Sequence, residues 1–238
     1  FDVKFQTKDN KEEFVWATSW GVSTRLIGAV ILTHGDDKGL RLPPKIAPVQ
    51  IVIVPISKND EDKNAIKLFL NPIIKSLNTV GVRIHVDWTN NTPGYKFNEW
   101  EMKGVPVRME VGPRDIENDK VVLVRRDSGE KIFLLKQDIL STVPQLLEKI
   151  QSNLFTQAKK FRDVNTHSVS TYDEFCSHMK TGGFVRCGWD GSPKTELKIK
   201  EETKATIRCI PFDEKPERLR CVVSGKPAKH EVIFAKAY

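Results

Sequence analysis

A chain of 238 residues can bury one large core or two smaller ones, so it needs no disulfide framework to fold. Lysine and arginine number 38 against 31 aspartates and glutamates, a formal charge of +7 that favours polyanionic partners over basic ones. No apolar run approaches the roughly 18 residues of a membrane span, and the opening FDVKF has neither a methionine nor a signal-like apolar region, so the expectation is the cut end of a longer chain with no membrane partner.

Residues 1 to about 45 predict strand, turn and strand, then a buried helix or strand over the apolar run from Leu26 to Leu32. Pro43-Pro44 closes this region, because two prolines supply no amide donors and restrict the backbone before them. Val49 to Ile56, VQIVIVPI, has the length and β-branching of a strand buried on both faces. Asp60 to Val80 spaces its apolar residues by three and four, predicting an amphipathic helix with a kink or lost hydrogen bond at Pro72.

Val82 to Trp88 alternates as a strand, and a short helix is expected around Lys96 to Lys103. Strands follow at Val105 to Val111 and Lys120 to Arg126, with RDSGEK as a hairpin turn. This alternation predicts a mixed α/β sheet covered by helices. A long helix from Asp138 places Ile139, Val143, Leu146, Leu147, Ile150, Leu154 and Phe155 on one face, with Pro144 near its start. The remainder predicts a small α+β unit: a capped helix in TYDEFCSHMKTGG, then strands at Phe184 to Trp189, Thr206 to Pro211 and Glu231 to Ala235.

The four cysteines, Cys176, Cys187, Cys209 and Cys221, lie 11, 22 and 12 residues apart with no C-x-x-C pair, which favours reduced thiols over a dedicated zinc site. The five histidines form no H-x-x-x-H pair, and SGKPAK lacks the upstream glycine of a P-loop. In KFNEWEMKGVPVRMEVGPRD, Lys96 to Asp115, the cations Lys96, Lys103, Arg108 and Arg114 alternate with Glu99, Glu101, Glu110 and Asp115, and Phe97 and Trp100 are interleaved. Such a set can hold phosphates, stack bases and accept hydrogen bonds from base amino groups; it can equally be a salt-bridged surface. Near the start, Ser23, Thr24 and Arg25 offer two hydroxyls and a planar cation, with Arg25 either in a buried ion pair or facing a ligand.

In this order along one chain, SWGVSTRLIGAVILTHGDDKGLRLPPKIAPVQIVIVPI and PGYKFNEWEMKGVPVRMEVGPRD resemble the prolyl-tRNA synthetases of the eukaryotic and archaeal type, a family of class II aminoacyl-tRNA synthetases. The resemblance extends through the C-terminal region to the final tyrosine. It implies the end of an antiparallel catalytic sheet carrying motif 3 in residues 1–46, a mixed-sheet α/β anticodon-binding domain in 47–152, and a small α+β domain in 153–238. Gly21 to Arg25 matches motif 3. By that match Arg25 is catalytic and lies against the adenine and triphosphate of ATP with Ser23 and Thr24, a role suited to a delocalised cation that both stacks and donates. Ser19, Trp20 and Gly21 border the proline site, and Glu101, Lys103, Arg114 and Asp115 read the anticodon.

The family implies ATP-dependent formation of prolyl-adenylate and transfer to tRNA, with ATP and Mg2+ required, a homodimer and a cytoplasmic location. Motifs 1 and 2 are absent from the chain, so it alone is expected to be inactive; the alternative is a non-catalytic tRNA-binding module. The family often binds zinc through four cysteines. Here Cys187 and Cys221 match, but Asp190 and Ser224 stand near the other two places, so zinc is not expected and no metal ligand is assigned.

Overall fold

The computed structural model describes residues 2–236. They divide into two compact units, Phe1–Ile150 and Gln151–Tyr238.

The first unit opens on an antiparallel hairpin of β1 (Lys4–Gln6) and β2 (Glu12–Phe14), with Lys4 opposite Phe14. The main-chain N–H of Asn10 donates to the Thr7 carbonyl and closes its turn. An extended stretch leads to α1 (Arg25–His34). The expected buried segment is a helix, but none of its residues is buried: Leu26, Ile27 and Leu32 are 57, 65 and 81 % exposed. Their apolar run is continuous rather than striped, and among the described residues nothing buries it.

The centre of the unit is a five-stranded sheet in the order β4-β3-β5-β6-β7. β3 (Ile51–Pro55) is buried at every position, as a strand covered on both faces must be. It pairs in parallel with β4 (Ile84–Val86) and β5 (Val107–Val111). β6 (Lys120–Arg125) and β7 (Lys131–Leu135) extend the sheet antiparallel through the predicted hairpin. The connections are α2 (Asp60–Thr79), α3 (Pro93–Met102) and the short α4 (Pro113–Glu117).

Asn59 caps α2 by accepting from the Asp62 N–H at 2.7 Å, and Thr92 caps α3 with Pro93 in its first turn. α2 runs without a break through Pro72, its buried stripe of Ile66, Phe69, Leu70, Ile73 and Leu77 outweighing one missing amide. Val52, Val54 and Val105 form the core beneath α3, with Phe97 and Trp100 packed on it.

α5 (Ile139–Val164) is 26 residues long. Ile139, Val143, Leu146, Leu147, Ile150 and Leu154 are buried as the spacing predicts, whereas Phe155, one position past the stripe, is 67 % exposed.

The second unit contains β8 (Thr166–Ser168), α6 (Tyr172–Thr181), β9 (Phe184–Trp189), α7 (Pro193–Thr203), β10 (Ala205–Cys209) and β11 (His230–Lys236). Its sheet has the order β10-β11-β9-β8, antiparallel except for β8 with β9. Thr171 and Glu174 form a reciprocal capping box at the start of α6. Phe175 and Phe234 meet edge-to-face at 5.2 Å in a core that includes Met179, Val185, Ile199 and Val232. Tyr238 lies outside the described residues, and none of the described helices is long and apolar enough to cross a membrane.

Candidate nucleic-acid interface

The register of the five-stranded sheet decides which side chains share its α3 face. Val52 on β3 pairs with Arg108 on β5, Arg108 with Val124 on β6, and Val124 with Lys131 on β7. Registered neighbours point the same way, so these four form a row across the sheet. Arg108 and Lys131 are two strand spacings apart, about 10 Å. With Trp100 and Glu101 from the end of α3 and the turn from Arg125 to Gly129, the row lines a cavity of about 420 Å³.

Each cation in this cavity has a defined posture. The Arg108 guanidinium lies 4.1 Å over the Phe97 ring and is 2.8 Å from Glu110, which fixes its plane. The Lys131 ammonium has no carboxylate partner among the described residues. Trp100 is anchored by its indole N–H, which donates to Asp87 Oδ2 at 2.8 Å. Burial would raise the Asp87 carboxyl, but hydrogen bonds from the Thr89 hydroxyl and the Trp100 indole outweigh it and hold it below the usual range. Further along β7, Phe133, registered with Val122 on the same face, is 71 % exposed. An open sheet face with aromatics and cations in alternation can stack bases and bind phosphates.

The segment after α1 forms one wall of this cavity. Leu40 N–H donates to the Met102 carbonyl and Leu42 N–H to the Gly104 carbonyl, both at 3.0 Å. The approach is close enough to require glycine: a Cβ on Gly39 would fall 2.5 Å from Met102 Cα, and one on Gly104 2.5 Å from Leu40 Cβ, each at positive φ. The Arg126 guanidinium clamps Asp36 through two bonds of 2.6 and 2.8 Å and donates to the Glu101 carbonyl at 2.9 Å. That clamp holds the Asp36 carboxyl down to about 2.

The residues expected to read the anticodon divide into two groups. Glu101 lines the cavity and pairs with Lys38 at 3.4 Å, and Lys103 sits 4.3 Å over Trp100 while bonded to Glu99 at 2.6 Å. Arg114 and Asp115 lie at the opposite end of β5. Asp115 accepts from the Gly112 N–H at 2.8 Å and so caps α4, and Arg114 is exposed beside it. The register adds Lys131 and the central role of Arg108, which sequence reasoning had only as one cation among four. The period-two alternation before and after the hairpin turn was the available signal, but the residue pairing depends on the turn geometry.

The residues expected from the resemblance to form motif 3 lie just before and at the start of α1. Arg25 is exposed and has no ion-pair partner among the described residues. Its main-chain N–H donates to Ser23 Oγ at 3.4 Å, and Thr24 occupies the N-cap position. Ser19, Trp20 and Gly21 are exposed in the preceding extended stretch, Trp20 at 93 %.

In the second unit Cys187, Asp190, Cys221 and Ser224 converge, and their chemistry tests whether zinc fits. Burial, with Cys221 and Glu231 nearby, pushes the Cys187 thiol up to about 12, away from the thiolate that zinc needs. Asp190 Oδ2 accepts from the Ser224 hydroxyl at 2.7 Å, and Oδ1 from the Thr195 hydroxyl at 2.7 Å and the Ser192 N–H at 3.1 Å. A carboxylate already engaged by three donors, a hydroxyl in place of a thiolate, and a Cys187 thiol held protonated do not fit the zinc donor set.

Comparison with known proteins gives a consistent result. Residues 50–150 match the family described as "Anticodon binding domain", and residues 172–238 match "Prolyl-tRNA synthetase, C-terminal". The whole chain is 50 % identical to a proline–tRNA ligase of Bacteroides fragilis, covering 49 % of that protein. It is 48 % identical to the one of Christiangramia forsetii, covering 49 %, and 46 % identical to the one of Symbiobacterium thermophilum, covering 50 %, again over its full length. The chain therefore spans about half the length of these relatives. The chain carries the anticodon-binding family in residues 50–150 and the prolyl-tRNA synthetase C-terminal family in residues 172–238, and over its whole length it is similar to the C-terminal half of proline–tRNA ligases.

Proposed function

We propose that this chain is the tRNA-recognising C-terminal part of a proline–tRNA ligase, and that the Arg108–Lys131 face of its sheet reads the anticodon of tRNA(Pro). The observation that carries the reading is the row of Val52, Arg108, Val124 and Lys131 beside Trp100 and Glu101, within the residues that match an anticodon-binding family. The guanines shared by the proline anticodons present acceptors at O6 and N7, which suit the Arg108 fork, and N–H donors that Glu101 accepts. Trp100 and Phe133 supply stacking surfaces, and Lys131 the contact to phosphate.

In the complete enzyme, L-proline and ATP with Mg2+ react to give prolyl-adenylate and pyrophosphate, and the prolyl group then passes to the terminal ribose of the tRNA. Arg25 stacks on the adenine and donates to the triphosphate. Its exposure and lack of an ion-pair partner leave the guanidinium available. Ser23 and Thr24 border the nucleotide, and Ser19, Trp20 and Gly21 border proline. The enzyme is a cytoplasmic homodimer in this reading, and Arg114 and Asp115 act at the margin of the anticodon site.

The test is pyrophosphate exchange and aminoacylation by the complete enzyme. Arg25→Ala abolishes proline-dependent exchange while leaving tRNA affinity unchanged. Normal exchange by that variant would overturn the assignment. A complete protein that binds tRNA(Pro) yet shows no exchange as wild type would establish the non-catalytic binding module instead.

A further inference from the structure

A second cavity, of about 240 Å³, opens where the carboxyl ends of β3 and β4 meet the starts of α2 and α3. Ligands of open α/β sheets collect at the carboxyl ends of parallel strands. Lys58, Lys63, Lys96, Trp88, Asn90 and Asp60 are among its lining residues.

The feature that points to a ligand is Lys96, which is 5 % exposed. Its ammonium donates to the Asp87 carbonyl at 3.0 Å and lies 3.8 Å from Asp87 Oδ1. That carboxylate is already occupied: Oδ1 accepts from the Thr89 main chain and hydroxyl, and Oδ2 from the Trp100 indole. A buried ammonium carries three donors, and an acceptor arriving in the cavity would satisfy those that remain.

The charge around the cavity agrees. Lys58 and Lys63 have no ion-pair partner among the described residues, and Lys67, one turn beyond Lys63, holds its ammonium 5.4 Å over the Trp88 ring. Against these stands an acidic first turn of α2. Asp62 is turned away to accept from the Lys58 N–H at 3.0 Å, which leaves Asp60 as the one carboxylate lining the cavity. Lysines with one carboxylate and adjacent amides suit a ligand bearing both a phosphate and a hydroxyl.

We propose that this cavity binds the ribose–phosphate backbone of an RNA strand, the lysines holding a phosphate while Asp60 and Asn90 receive a 2′-hydroxyl. The proposal rests on the reading of the chain as RNA-binding. The two cavities sit at opposite ends of α3, about 15 Å apart for its ten residues, within reach of one single strand.

Trp88 lines this cavity and Arg108 the anticodon cavity, so the Trp88 indole N–H and Arg108 Nε–H NMR signals, identified with Trp88→Phe and Arg108→Lys, report the two sites separately. The full chain is titrated with hexauridylate, its deoxyribose counterpart, and inorganic phosphate. The expected result is a saturable Trp88 shift with the RNA, about tenfold weaker binding for the DNA, and none with phosphate at the same concentration. Lys63→Ala weakens the Trp88 response about fivefold and lowers its salt slope by about one, leaving the Arg108 signal unaffected. A shift of the Arg108 signal with Trp88 unmoved would overturn this proposal and leave the anticodon reading standing. An equal Trp88 response to phosphate or to the DNA would overturn it too. If Trp88 shifts and Arg108 does not, the proposal holds, and the anticodon reading, which needs guanines that hexauridylate lacks, is decided by the tRNA comparison instead.

Discussion

Asp36, just beyond α1, and Arg126, at the end of β6, are ninety residues apart in sequence and joined by two charge-assisted hydrogen bonds of 2.6 and 2.8 Å. The pair fastens the segment that follows α1 to the rim of the cavity lined by Arg108 and Lys131. Because the Arg126 guanidinium holds the folded carboxyl of Asp36 at about 2, below its ordinary 3.8, its contribution to stability is present above pH 3.8 and lost as pH falls towards 2. With 34 % of the Asp36 side chain exposed, solvent screening reduces this to about 1 kcal/mol. Asp36→Asn should lower the melting temperature at pH 7 and flatten its decline between pH 4 and 2. An unchanged melting profile would show that the pair contributes nothing.

Arg108 should matter as a fork rather than as a charge. Arg108→Lys retains the cation near Glu110 but not bidentate donation or planar stacking on Phe97. Affinity for tRNA(Pro) should fall by about 1–3 kcal/mol, with the melting temperature within a few degrees of wild type. Retained affinity in a filter-binding assay would remove Arg108 from the interface.

Asp190 should act as the tie of the second unit. Burial works against its charge, but the donors from Ser224, Thr195 and Ser192 outweigh it and lower its carboxyl. Its stabilisation is therefore present above the ordinary carboxylate range and lost as pH falls below it. Asp190→Ala should cost about 1–3 kcal/mol by denaturant unfolding, since it removes a carboxylate that accepts from two hydroxyls and an amide. Chelator treatment of the wild type should leave the unfolding midpoint in place; a shift would show that a metal is bound after all.

The thiols should separate by access. Cys209 is exposed, Cys176 half-buried, and Cys187 and Cys221 buried, with Cys187 pushed up to about 12. A thiol reagent at pH 8 should modify Cys209 first, and Cys187 and Cys221 only on unfolding. Rapid native modification of Cys187 would contradict the packing around it.

How much of this was legible in the sequence varied with the kind of signal. α2 and β3 were read almost to the residue, since one has a strong three-four stripe ending in a capped start and the other a continuous β-branched run. α7 was missed because six of the ten residues of KTELKIKEET are charged and it buries only Ile199 and Thr203; the Ser192-Pro193 start was its one local mark. α4 is five residues long, too short for periodicity to register. The apolar run of α1 was mistaken for a buried segment because composition reports how apolar a helix is, not whether a neighbour lies against it. The cavity residues Glu101 and Arg108 lay in a block that sequence picked out, whereas Lys131 joins them only through the pairing of β5, β6 and β7.

The central claim is most directly tested by equilibrium binding of the full chain to tRNA(Pro) and to the same tRNA with its two anticodon guanines replaced. The account predicts that the wild type prefers the native tRNA by about tenfold or more, and that Arg108→Ala binds both equally. Equal affinity of the wild type for the two tRNAs would contradict it.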